Sequence, residues 1–398
     1  MAKSSFDARV SGVLEVLGPQ AGAGPHESAG RAESTAAPPH SASDVLTRVE
    51  GILRHMSADE VADPAAFQKA YRTLLKHGES AFKELAVGAG SGRLSPDHLG
   101  SLEAIVIADG SRPSFLLRNG GRFDPNHPFL AAWKDDMLAF APELRRLAGA
   151  VGRIQPANGN AANYFGTGTL IDRNKGLVLT NFHVLDVARE SPRISIDGED
   201  RELKVTGDLV IDFDAESGTT GRNRFRVVHA SLPEGFGIGF AGMDAAVLRI
   251  EPMDPQSKLP AYAPALSVDP DLSSGSSTTL VTVGFPGEPI PHNPPGATVD
   301  WHFVLTTLFG NRFGVKRVAP GRFRLAPGSV EGDAFDRVMS HDATTFGGAS
   351  GSLMFAWKDQ GTPGYGLHFS GATLSANYAL SLQRAADALK GKRLGVAS

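Results

Sequence analysis

From about residue 150 onward the chain breaks into short runs of β-branched and aromatic residues, each stopped by Gly, Pro, Asn or Asp. These runs are VGRI, FGTGTLI, GLVLT, RISI, LKVTG, FRVVH, AAVLRI, TTLVTVGFP, HFVLTT, GVKRV, RFRLA, SLMFA and YGLHFS. Each is long enough for a strand and too short for a stable helix, and the turn residues between them stop either from continuing. About 240 residues of this texture predict an all-β sandwich or barrel. The 46 Gly and 26 Pro supply the turns such a fold needs, without reaching the share that marks low-complexity chains.

Upstream the texture differs. Residues 1–42 are rich in Ala, Gly, Pro and Ser and carry too few large apolar residues to offset the entropy of ordering, so a disordered tail is expected. Over 43–110, apolar residues recur at three and four. Val45, Leu46, Val49, Ile52 and Leu53 follow a Ser43 or Asp44 cap, and Phe67, Tyr71, Leu74 and Leu75 follow Asp63-Pro64. A small helical bundle is predicted there, regulatory or interacting in role. The segment 111–149 reads as a linker strand and helix, with Pro142 as a kink point. A last helix is expected from about 378.

Length and charge narrow the function. A chain of 398 residues has room for two or three domains. With 39 Lys and Arg against 43 Asp and Glu, a net charge of −4 gives no electrostatic reason to bind nucleic acid or an anionic membrane. No apolar run reaches the length of a membrane span, and the N-terminus shows no secretory pattern, so a cytoplasmic location is expected. Zero cysteines exclude disulfides, thiolate metal sites and a Cys nucleophile. No metal-ligand spacing such as HExxH occurs, and no metal or cofactor is expected.

Three segments carry chemistry. GLVLTNFHVL places His183 at the end of a buried-looking strand, FAGMDAAVLRI brings Asp244 into an apolar one, and DATTFGGASGSLMF holds Ser350 among glycines. A serine hydroxyl is a poor nucleophile until an imidazole takes its proton, and a buried carboxylate then orients the imidazole and stabilises its charge. The negative charge on an attacked carbonyl needs backbone N–H donors, which Gly348 and Ser350 can give. Asp208, Asp212 and Asp214 are alternative carboxylates. His341 and Asp342, adjacent on a strand, point to opposite faces and read as structural.

FGTGTLI, VLTNFHV, MDAAVLRI, TTFGGASGS and GLHFSG, in this order, resemble the chymotrypsin-fold serine peptidases, in particular the bacterial glutamyl endopeptidases and high-temperature-requirement peptidases. The likeness covers about 150–392 and implies a mainly β double six-stranded barrel following an N-terminal all-α region. It implies His183 as general base, Asp244 as its partner, Ser350 as nucleophile, and Gly348 with Ser350 as the oxyanion hole. Two residues depart from the family pattern. Ala349 stands where digestive members carry an Asp that pairs with a new N-terminus, which rules out that activation route, and Leu353 replaces a common Pro.

Thr344 lies where enzymes that cut after Lys or Arg hold an Asp, so a basic preference is not expected. Thr345 and His368 match the pocket of the glutamyl enzymes and suggest an acidic residue before the cut, while Gly371 lies on the strand edge that pairs with substrate. A protein or peptide substrate is implied. A catalytically silent peptide-binding module and an esterase remain alternatives. The helical region is read as a module for a protein partner, a structural appendage or an inhibitor, with RPSFLLRNGGRF lying along the domain as an added strand or across its cleft.

Overall fold

The computed structural model describes residues 112–389 apart from 128–129, 131–132, 200, 220–222, 268–278, 289–304, 306–308, 331, 357–362 and 373–375, together with Lys76. The tail expected over 1–42 and the helical bundle expected over 43–110 lie outside the described residues, but for Lys76. In chain order the first elements are β1 (Phe115–Leu116), α1 (Lys134–Ala150), β2 (Val151–Pro156), β3 (Gly166–Asp172), β4 (Leu177–Thr180) and α2 (Phe182–Arg189). Next come β5 (Ile194–Glu199), β6 (Glu202–Gly207), β7 (Leu209–Asp212), β8 (Arg224–Ser231), β9 (Ala246–Pro252) and β10 (Thr279–Gly284). The last are β11 (Arg317–Arg322), β12 (Val338–His341), β13 (Leu353–Ala356), β14 (Gly364–Ala372), β15 (Ala376–Ser381) and α3 (Leu382–Leu389).

Six strands close into a ring in the order β8, β7, β2, β3, β4, β9, because β9 pairs back onto β8. The β5–β6 hairpin adds to the far end of β8. Ile154, Leu170, Val178, Ile211, Phe225 and Leu248 fill this barrel and are fully buried. The second sheet runs β1, β11, β10, β13, β14, β15, β12. A bridge between Phe323 and His341 brings β12 back beside the chain leaving β11, with Arg324 N–H donating to Ser340 O at 2.9 Å and Ser340 N–H to Leu325 O at 3.0 Å. The second barrel therefore also has six strands, and β1 occupies the other end of the β11 edge. Of the two placements open to RPSFLLRNGGRF, the added strand is the one observed.

The stretch expected as a linker is part of the core. Asp135 and Asp136 lie in the first turn of α1, where the helix dipole favours negative charge. Its buried face of Met137, Leu144 and Leu147 packs in one cluster with Phe115 and Leu117 and with residues of both barrels, among them Leu179 and Val283. Pro142 is accommodated within the helix on its exposed side. The helix leads directly into β2, with no connector.

Lys316, just ahead of β11, is fully buried beneath this helix. Its ammonium donates to the carbonyls of Ala148 at 2.7 Å and Phe213 at 2.8 Å and lies 3.7 Å from the Glu216 carboxylate. Burial lowers its pKa, while Glu216, Asp214 and Asp212 oppose that shift. At the other terminus the helix expected from 378 begins only at Leu382. Residues 376–381 are held as a strand because they pair with β12 on one side and β14 on the other.

Candidate active site

The first barrel supplies a histidine and a carboxylate. β4 ends at Thr180, Asn181 is extended, and α2 starts at Phe182, so His183 sits in the first turn of a helix rather than at a strand end. Val184, Leu185 and Ala188 bury that helix against the barrel, which fixes the direction of the imidazole. Asp244, just ahead of β9, is 1% exposed and accepts three hydrogen bonds. Oδ1 takes the His183 N–H at 3.1 Å, while Oδ2 takes the Gly239 N–H at 3.1 Å and lies 2.7 Å from His183 Nδ1. Asn181 ties the same stretch down by donating from Nδ2 to the Asp244 carbonyl at 2.7 Å. The alternative carboxylates are engaged elsewhere: Asp212 accepts from the Asp214 and Asn223 amides, and Asp208 lies beside Arg193.

The second barrel supplies the serine, on the turn ahead of β13. Gly348 has φ +87°, and a Cβ there would collide with Tyr164 and with the Phe285 carbonyl, so only glycine fits. Thr167 N–H donates to Ser350 O at 2.8 Å, which joins the turn to β3 of the first barrel. Ser350 Oγ lies 3.5 Å from the Phe369 carbonyl. Phe369 is the extra residue of a bulge between His368 and Ser370 in β14, which takes its carbonyl out of the ladder and toward the serine. Ala349 and Leu353, the two departures from the family pattern, are both buried apolar residues.

Among the residues assigned to a specificity pocket, Thr344 donates to the Arg112 carbonyl at 2.6 Å and Thr345 to Asn377 Oδ1 at 2.9 Å. Gly371 pairs with Asn377 in β14–β15. His368 is buried with its Nδ1 3.2 Å from Nε2 of His341. Adjacency on a strand marks His341 and Asp342 as structural. The two side chains do point apart: Asp342 pairs with Arg112 and Arg324, while His341 turns inward to His368. The signal for that pair is a second histidine on another core strand of the same barrel, with β15 between the two.

Burial lowers the His341 pKa to about 3 and holds His368 well below its ordinary value, the latter with added repulsion from His341 and His183. Unfolded histidines take up protons near pH 6.5. The contribution of both is therefore fully present above that pH and is lost as pH falls below it, until the folded pKa is passed, near 3 for His341. In titrations of stability between pH 6 and 4, unfolding takes up about two extra protons from this pair, and His341→Gln removes about one.

Among the described residues, no group of three or more His, Asp or Glu side chains is placed to hold a metal ion, and no helix is long and apolar enough to cross a membrane. Residues 166–362 match the family model described as a trypsin-like peptidase domain. A probable serine protease of Lysobacter enzymogenes is 45% identical over 355 residues, covering 89% of this chain and 90% of its own length. The inactive and active forms of the Rv3671c protease of M. tuberculosis are 18% and 19% identical. Each match covers 66% of this chain, with 96% and 88% of the solved chains and TM-scores of 0.35 and 0.36. With a relative at 45% identity across nearly its whole length and a matching domain model that runs from β3 past β13, the chain belongs to the trypsin-like serine peptidases.

Proposed function

We propose that this peptidase cleaves by acyl transfer through Ser350, His183 and Asp244, with the Gly348 and Ser350 N–H groups receiving the oxyanion. The observation that carries this reading is the 2.7 Å contact between His183 Nδ1 and the buried Asp244 carboxylate. A carboxylate can only accept, so Nδ1 holds the proton and Nε2 keeps its lone pair for the serine hydroxyl. Ser350 Oγ attacks the peptide carbonyl as its proton passes to His183 Nε2. The C–N bond then breaks as His183 returns that proton to the leaving amine, and water releases the acyl group by the same route.

Peptide geometry supports these oxyanion donors. The Gly347 carbonyl accepts from the Gly287 N–H at 2.5 Å. In a planar trans peptide the Gly348 N–H points the opposite way, away from the Gly287 segment. Among the described residues neither that N–H nor the Ser350 N–H has a hydrogen-bond acceptor, which leaves both for the substrate.

Selection for an acidic residue before the cut is supported by the histidine pair. His341 Nδ1 is buried without a partner, and an unprotonated nitrogen is the less costly state for it. The His341 proton then sits on Nε2 and is donated to His368 Nδ1, which makes His368 a donor through Nε2. Its ring also bonds the Tyr378 carbonyl, an acceptor that a substrate carboxylate would compete with. Thr344, at the pocket position, brings no negative charge. The test is a proteome-derived peptide library read by mass spectrometry. Wild type cuts after Glu or Asp, Ser350→Ala cuts nothing, and His368→Val loses the acidic preference about 10-fold or more. A fluorophosphonate that fails to label wild-type Ser350 would overturn the triad; cleavage after other residues would overturn the pocket alone.

A further inference from the structure

Four consecutive carbonyls of the oxyanion loop are each held by a donor. Gly347 O accepts from Gly287 N at 2.5 Å, and Gly348 O from Thr167 Oγ1 at 2.8 Å. Ala349 O accepts from Ser352 Oγ at 2.6 Å, and Ser350 O from Thr167 N at 2.8 Å. Thr167 thus grips the loop twice, once on each side of Ala349, with its backbone and with its hydroxyl. We propose that Thr167 and Tyr164 are positioning residues that keep the oxyanion loop formed, in place of the ion pair that Ala349 cannot make. This rests on the reading that Gly348 and Ser350 hold the oxyanion.

The direction of each bond is determined. The Phe285 N–H, which can only donate, lies 3.2 Å from Thr167 Oγ1. The hydroxyl accepts there, and its single proton goes to the Gly348 carbonyl. Tyr164 donates from its own hydroxyl to the Phe285 carbonyl at 2.8 Å, so one residue, Phe285, is held at both its N–H and its C=O. Burial raises the Tyr164 pKa, which keeps that proton in place. The Tyr164 ring edge also stands where Gly348 would carry a Cβ, so the loop cannot swing toward it.

Gly287, two residues beyond Phe285, then presents its N–H to Gly347 O and so orients the peptide that carries the Gly348 N–H. Because Thr167 belongs to β3 and the loop to the second barrel, the hole is complete only when the two barrels are docked.

Thr167→Val keeps the shape and removes the hydroxyl, Thr167→Ser keeps the hydroxyl, and Tyr164→Phe removes only the phenolic oxygen. On a peptide that wild type cleaves, Thr167→Val and Tyr164→Phe lower kcat roughly 10- to 100-fold with KM within about 2-fold, because the donors are displaced and not the pocket. Affinity for a peptide aldehyde, whose hemiacetal oxygen occupies the hole, falls by the same factor, and Thr167→Ser restores both to within about 3-fold. Thermal melting of each variant is recorded alongside.

Unchanged kcat in Thr167→Val, or a parallel loss of kcat, KM and melting temperature that Ser does not restore, overturns the proposal. Fluorophosphonate labelling of wild-type Ser350 separates the cases. With labelling, such a result removes the brace alone; without it, the triad reading falls and the brace with it.

Discussion

Asp244→Asn lowers kcat/KM by about 10⁴-fold, measured on any cleaved peptide, with a much smaller effect on thermal melting. The size follows from what the carboxylate accepts. Both oxygens face donors: the His183 amide at Oδ1, and the Gly239 amide with the His183 ring at Oδ2. An amide has one acceptor oxygen and one NH₂ donor, so either orientation sets NH₂ against N–H. With NH₂ at the Oδ2 position it donates to His183 Nδ1 and moves the ring proton to Nε2, where the serine proton must go. With NH₂ at the Oδ1 position it repels the His183 amide and displaces the first turn of α2. The first orientation retains the fold and loses the base. An Asp244→Asn enzyme that kept activity within 10-fold of wild type would exclude Asp244 as the orienting group.

Lys316→Met has the largest expected effect on stability, a loss on the order of 3–5 kcal/mol, with the melting temperature falling by about 10 °C. Methionine matches the volume but leaves the Ala148 and Phe213 carbonyls without their donor and the Glu216 carboxylate, itself nearly buried, without its cation. Among the described residues Glu216 keeps only the Gly120 N–H, which donates to Oε2 at 2.8 Å. The double variant Lys316→Met with Glu216→Gln recovers part of the loss, because removing both charges ends the uncompensated burial. Chemical denaturation of the three proteins measures this, and a Lys316→Met protein as stable as wild type would show that the buried ammonium contributes nothing net.

The catalytic segments were legible because their chemistry demands particular residues in short local settings: a histidine after an apolar strand, an acid before one, a serine among glycines. What escaped depends on distant partners. The eight residues of α2 are too few for helical periodicity to stand out beside the strand that precedes them. In GVKRV, alternation puts Lys316 and Arg317 on opposite faces, which predicts that one of them is exposed. Both are buried, because α1 and Phe213 close over one side while Ser114 and the 309–312 loop accept from Arg317 on the other. Thr167, one of the two threonines in FGTGTLI, bonds a carbonyl 181 residues away, and no local pattern announces that.

The path of the chain between the barrels has a consequence for how the protein is made. Of the described strands β1 emerges first, yet its neighbour β11 follows only after the whole first barrel, and Ser114 and Arg317, which tie the two together, are 203 positions apart. The first barrel closes on itself through β8 and β9, so every strand of its ring is in place once Pro252 has left the ribosome. At that stage the proposed base and its carboxylate stand together without the proposed nucleophile or its oxyanion loop. On the proposed mechanism, a chain halted between Pro252 and Ser350 carries a closed first barrel but no proteolytic capacity.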